Sequence, residues 1–146
     1  MKLSKNDDIK LNIDSLTSEG SGIGRFDGFA VFVRGVVPGD EVVAHIIKCS
    51  KNYAIGVVKD IIKPSKFRIE SDCPVSSKCG GCSFRNVSYD EELRYKKGRV
   101  QDALERIGKL DIEVEEIIGA DKCSHYRNKA QYPVSICDGE LFAGFY

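Results

Sequence analysis

Ile13-Asp14-Ser15-Leu16-Thr17-Ser18-Glu19-Gly20-Ser21-Gly22-Ile23-Gly24-Arg25-Phe26-Asp27-Gly28-Phe29-Ala30-Val31-Phe32-Val33 alternates short apolar runs with glycine-rich punctuation. Asp27-Gly28, set between Arg25-Phe26 and the run 29–33, predicts a β-hairpin, because both residues tolerate the positive φ of a tight primed turn. Upstream, Ile9, Leu11 and Ile13 alternate with polar residues, the period of a half-buried strand. Downstream, Val37-Pro38-Gly39-Asp40 reads as a second turn, and a polar break at 49–52 separates the β-rich runs 41–47 and 53–62. About five short strands and no helix fit a small antiparallel barrel of the OB type. Gly20, Gly22 and Gly24 lack the following helix of a dinucleotide fingerprint and read as turn residues.

The whole chain of 146 residues, 42% hydrophobic and 30% charged, is enough for two small folded units. Net charge is zero, but the segments are uneven: +1 over 1–64, +3 over 65–100 and −4 over 101–146. Bulk charge therefore demands no nucleic-acid partner, and any such partner must be met by a local basic patch. No run approaches the roughly 20 apolar residues of a membrane span, and the first residues lack the apolar core of a signal peptide. A cytoplasmic protein is expected. In that reducing compartment six cysteines point to metal or redox chemistry before disulfides.

The run 13–25, followed by Gly28-Phe29-Ala30-Val31-Phe32-Val33 and Val37-Pro38-Gly39-Asp40, resembles the TRAM domain of RNA-modifying enzymes. The resemblance covers nearly all of residues 1–64 and implies RNA as partner. On an OB-like face, Arg25, Arg34, Lys48, Lys51 and Lys59 are candidates for phosphate contact, and Phe29 and Tyr53 for base stacking. Phe26 and Phe32 are expected in the core, and any single lysine has a solvated surface as its plainer role.

Pro64-Ser65-Lys66 marks the predicted boundary to a second unit, 65–146, which opens on Cys73-Pro74-Val75-Ser76-Ser77-Lys78-Cys79-Gly80-Gly81-Cys82. Cys73, Cys79 and Cys82 bring three soft thiolates to one short loop, a donor set that selects iron–sulfur clusters or zinc over hard cations. Gly80 and Gly81 allow a tight backbone path that presents amides to sulfur. A zinc ribbon would need two C-x2-C pairs, and there is one. Among the other cysteines Cys123, beside His125, is the nearest to a fourth ligand; Cys49 falls in a barrel loop and Cys137 reads as a small buried hydrophobe.

A TRAM-like barrel followed by C-x5-C-G-G-C is similar to the arrangement in RNA uridine-5 methyltransferases carrying a 4Fe-4S cluster; radical enzymes that use S-adenosylmethionine space their cysteines C-x3-C-x2-C. The resemblance implies a fourth cysteine and a Rossmann-like domain binding S-adenosylmethionine beyond residue 146, so this segment alone is expected to be inactive. It implies methylation of C5 of a uracil in rRNA, ahead of tRNA, after a cysteine adds to C6. No residue here matches that nucleophile or its base. A monomer is expected; the competing reading is a free-standing RNA-binding adaptor stapled by a structural iron–sulfur or zinc site, and an electron-transfer or redox-sensing module is disfavoured because nothing reads as a docking site for a redox partner.

Ser88-Tyr89-Asp90-Glu91 has the form of a capping box, and Tyr89, Leu93, Val100, Leu104 and Ile107 recur at helical spacing up to Gly108. A helix of about five turns is predicted, flawed by Gly98. The basic residues Arg94, Lys96, Lys97 and Arg99 read as its solvated face, with contact to RNA as the alternative. A strand is expected at 112–118, and a hairpin pairing 126–134 with 141–146 across Asp138-Gly139. Tyr126-Arg127-Asn128-Lys129-Ala130 also resembles the central domain of the same methyltransferases. The fold class expected is α+β.

Overall fold

The computed structural model describes residues 3–76 and 79–144. It is α+β: six strands form one sheet, a helix follows, and two further strands pair as a second sheet. The sheet strands are β1 (Asp8–Asn12), β2 (Ser15–Leu16), β3 (Gly22–Phe26), β4 (Phe29–Arg34), β5 (Glu41–Cys49) and β6 (Tyr53–Lys63), in the order β1-β5-β6-β4-β3-β2. The five-stranded antiparallel barrel is corrected in two respects. There are six strands, and β4 pairs β6 in parallel, with Ala30 opposite Tyr53 and Arg34 opposite Val57. No ladder among the described residues closes the sheet into a ring.

The two outermost strands, β1 and β2, are separated in the chain only by Ile13 and Asp14, so the sheet must curl until its ends nearly meet. The link is hydrogen-bonded on both sides. Ile13 N–H donates to the Asp40 carbonyl at 2.9 Å, and Asp14 N–H to the Ile23 carbonyl at 2.8 Å. Glycine allows the close approach: a Cβ on Gly24 would lie 2.4 Å from the Asn12 oxygen, and one on Gly22 would lie 2.2 Å from Val36. Gly22 and Gly24 are therefore strand residues without room for a side chain, and of the three glycines Gly20 alone has a turn conformation, at φ +80°.

Period-2 alternation sorts the sheet into two faces. Ile9, Leu11, Val31, Val33, Val42, Ala44, Ile46 and Ala54 are buried and make the core. The hairpin at Asp27-Gly28 forms as expected, with φ of 49° and 80°. The turn at Val37-Pro38-Gly39-Asp40 forms too, and its last residue is the most consequential in the unit. Asp40 is 0% exposed. Its carboxylate accepts from Val37 N–H at 2.7 Å, Ser65 N–H at 2.8 Å, and Arg68 through Nε at 3.2 Å and Nη2 at 2.5 Å. Four donors compensate the loss of solvent that an isolated buried carboxylate could not bear.

Residues 65–72 and 83–88, on either side of the cysteine loop, pack with this first unit. Arg68 bridges Val87 in an antiparallel pair, flanked by Ile69 N–H to Asn86 O at 3.0 Å and Ser88 N–H to Phe67 O at 2.8 Å.

The second unit comprises 73–82 and 89–146. Its helix α1, Tyr89–Asp102, continues as a π-helical turn, Ala103–Ile107, to the length predicted. Glu91 is buried and takes a two-pronged contact from Arg94, at 2.7 and 2.5 Å, in place of a purely backbone capping role. The strand expected at 112–118 is absent: that segment lies beside the helix, where the Gln101 amide donates to Ile112 O at 3.0 Å and accepts from Val114 N–H at 2.7 Å. The hairpin is shorter than predicted, β7 (Val134–Cys137) with β8 (Glu140–Ala143), across Asp138-Gly139. Residues 145 and 146, included in the expected pairing, lie outside the described residues. Cys137 is exposed on β7 and not a buried hydrophobe.

Candidate nucleic-acid interface and thiolate loop

The face of the sheet opposite the core carries the aromatic and basic residues that matter. On β4 the alternation that buries Val31 and Val33 turns Ala30, Phe32 and Arg34 the other way. Phe29 shares the parity of Val31 and packs against the core, as does Phe26. Phe32, expected inside, instead meets Tyr53 edge-to-face, with ring centroids 5.7 Å apart at 73°. The register places Ile23 and Ile55 on either side of Phe32, and Ala30 between Arg25 and Tyr53. Sequence reasoning missed Phe32, although its parity with Arg34 could have revealed it.

Of the basic candidates, Arg25 stands on β3 two strands from Tyr53, Arg34 ends β4, and Lys48 lies opposite Ile55 on β5. Lys51 is exposed in the turn before Tyr53. Lys59 is engaged elsewhere: with His45 it holds the Asp8 carboxylate. The Lys59 and His45 contacts keep that carboxyl below its ordinary range. Arg25 also borders a shallow depression of about 320 Å3 lined by Lys10 and by the acidic Asp14 and Glu41, so positive charge is concentrated on the Arg34–Lys48 side.

None of the six cysteines forms a disulfide. Cys73 and Cys79 are half-buried and Cys82 is exposed. Within the loop Ser76 N–H donates to Cys73 O at 3.2 Å, Cys79 N–H to Val75 O at 2.8 Å, and Gly81 N–H to Cys79 Sγ at 3.4 Å. That last contact is the amide-to-sulfur bond expected of the glycine pair. The donor types thus fit a thiolate-held centre, but the positions do not yet gather: no group of three His, Cys, Asp or Glu side chains among the described residues is placed to hold one metal ion. Cys49 ends β5, its thiol 3.3 Å from the Leu3 carbonyl, and Cys123 is exposed. No helix among the described residues is long and apolar enough to cross a membrane.

The TRAM domain family matches residues 6–59. An uncharacterized RNA methyltransferase of Listeria monocytogenes is 46% identical over 144 residues, 99% of this chain and 32% of its own length. Another from Halalkalibacterium halodurans is 44% identical over 145 residues, again 99% of this chain and 32% of the relative. A Pyrococcus abyssi tRNA (uracil-54, C5)-methyltransferase structure is 23% identical over 71% of this chain and 22% of that one, with a TM-score of 0.43, too low to carry an argument. The chain spans about a third of the curated relatives it matches. Over nearly its whole length the chain is similar in sequence to these RNA methyltransferases, and its residues 6–59 match the TRAM domain family.

Proposed function

We propose that this chain is the RNA-gripping and cluster-bearing portion of an S-adenosylmethionine-dependent RNA (uracil-5-)-methyltransferase that works in the cytoplasm on rRNA, as a monomer. The observation that carries the reading is the coincidence of a TRAM match with an open sheet face on which an aromatic pair, Phe32 and Tyr53, lies among Arg25, Arg34 and Lys48. Unstacked bases have a π-face for the rings, and the cations track the phosphates. Phe29, packed on the core, yields its stacking role to Phe32. Residues 1–64 are the RNA-binding domain in this reading and 65–146 part of a central domain.

Cys73, Cys79 and Cys82 would hold a 4Fe-4S cluster with a fourth ligand from outside the segment. When bound, the cluster supplies a rigid covalent hub for the loop. The chain's own contribution is to place the three thiolates on one short loop and to donate Gly81 N–H to the Cys79 sulfur. Methyl transfer belongs to the part of the relatives that this chain does not span.

The test is a titration of fluorescent single-stranded uridine-rich RNA with the chain at rising salt. Binding whose logarithm falls linearly with the logarithm of salt concentration is expected, because displaced counterions accompany each phosphate contact. Absence of binding at low salt would overturn the reading.

A further inference from the structure

The two rings on the outer face of the six-stranded sheet do not make a flat platform. Phe32 and Tyr53 are both half-buried, and their planes cross at 73° with centroids 5.7 Å apart. A base lying on one ring therefore stands steeply to a base lying on the other. Successive bases of a stacked strand are parallel, so such a strand can use either ring but not both. The register adds a second constraint. Ala30 pairs with Arg25 on one side and Tyr53 on the other, and paired residues of neighbouring strands share a face. Strands lie about 4.8 Å apart, so the backbones of β3 and β6 are about 9–10 Å apart at this row, with only the Ala30 methyl between them. A base stacked on both of its sides takes up about 7 Å, two stacking steps of a nucleic-acid strand. In the next row Phe32 has Ile23 and Ile55 as neighbours, branched side chains that leave no such gap.

We propose that this face binds single-stranded RNA in an unstacked, sharply turned form, with one base in the notch over Ala30 between Arg25 and Tyr53 and a neighbouring base on Phe32. The inference rests on the RNA-binding reading above and deepens it by naming the class of strand that fits. Its consequence is a preference for composition without any contact to a base edge. Adenosine runs hold a parallel stack that must be broken before both rings are used, whereas uridine runs stack little and turn freely. Preferences of single-strand binders arise from such differences in stacking strength and backbone flexibility. Two parallel rings would give the opposite order, because the larger adenine gains more from each stacking contact. Arg34, at the end of β4, and Lys48, opposite Ile55, meet phosphate whichever base is bound, so they add affinity and not preference.

The experiment compares uridine and adenosine oligomers of equal length, titrated with the 146-residue chain at low salt and read by fluorescence anisotropy. The uridine oligomer should bind about tenfold more tightly, the value of one stacking contact. Phe32→Ala should weaken uridine binding and erase the preference, while Lys48→Ala should weaken both oligomers alike. Ala30→Leu, its fold confirmed by circular dichroism, fills the notch and should cost uridine binding about tenfold. Adenosine bound as tightly as uridine, or more tightly, overturns the turned-strand inference and leaves RNA binding standing. Parental uridine affinity in a folded Ala30→Leu overturns it too, and if that variant does not fold the comparison of oligomers on the parent decides. No binding of either oligomer overturns the RNA-binding reading and this inference with it.

Discussion

Replacing Asp40 with alanine removes a carboxylate that is fully buried and accepts from Val37 N–H, Ser65 N–H and two nitrogens of Arg68. Breaking a buried pair by deleting one partner costs about 3–5 kcal/mol, because the other charge is left uncompensated. Each orphaned amide adds to that cost by about 1–3 kcal/mol where water cannot reach it. Arg68 is partly exposed and can turn toward solvent, so about 4 kcal/mol is the expected total. Urea unfolding followed by circular dichroism in the strand region measures it. With an m-value of about 1–2 kcal/mol/M, the midpoint should fall by about 2–4 M. Burial alone would raise the Asp40 pKa, but the Arg68 hydrogen bond, the Ser65 and Val37 amides and the Arg68 charge together hold it below its ordinary 3.8. A carboxyl depressed in the folded state contributes fully above the unfolded value and loses that contribution as pH falls through the folded one. The gap between parent and variant should therefore be constant at neutral pH and shrink below 3.8. A gap under about 1 kcal/mol at neutral pH, or one flat into acid, would refute the reasoning.

Gly98→Ala should stabilise the helical unit by about 1 kcal/mol, as a Cβ there meets nothing within 4 Å; thermal melting of that unit checks it, and a loss would mean the glycine serves a contact not seen here. Phe32→Ala and Tyr53→Ala should each weaken single-stranded RNA binding by about 1–3 kcal/mol, with the salt slope preserved because no phosphate contact is lost. Phe29→Ala should act on stability instead of affinity. Cys79→Ala should abolish iron and sulfide uptake on anaerobic reconstitution while the urea transition of the sheet is retained; equal metal in variant and parent would end the cluster assignment.

Local chemistry was the legible part of this chain. The Asp27-Gly28 and Asp138-Gly139 turns, the turn at Val37-Pro38-Gly39-Asp40 and the helix starting after Ser88 all lie where nearest-neighbour signals placed them. What escaped reading depends on residues far apart in the chain. Parallel pairing of β4 with β6 leaves no mark in either strand, because both alternate as antiparallel strands do. Alternation alone does not say which parity is buried: it suits Phe32 to the core as well as Val31 and Val33, and the structure buries the two valines. Asp40 looked like a turn residue, and its burial depends on Ser65 and Arg68 arriving from 25 and 28 residues away. At 112–118 the alternation was real but found no strand partner, and a glutamine amide on the helix took the place of a ladder. The cysteine spacing is plain in the sequence, whereas the path that would bring Cys73, Cys79 and Cys82 to one point is not, and among the described residues no three His, Cys, Asp or Glu side chains are gathered.

The two-residue link at Ile13 and Asp14 bears on how the chain behaves in a crowded solution. Open sheets expose unpaired edges that template association with other chains, and proteins guard against it by shortening, covering or charging those edges. Here one edge runs directly into the other, the shorter edge strand is only two residues long, and Gly24 lets β3 lie against the β1 backbone. Among the described residues, Val134, Ile136, Leu141 and Phe142 of the hairpin β7–β8 all face solvent. Self-association of this chain would therefore begin at those eight residues, and the six-stranded sheet would remain a bystander.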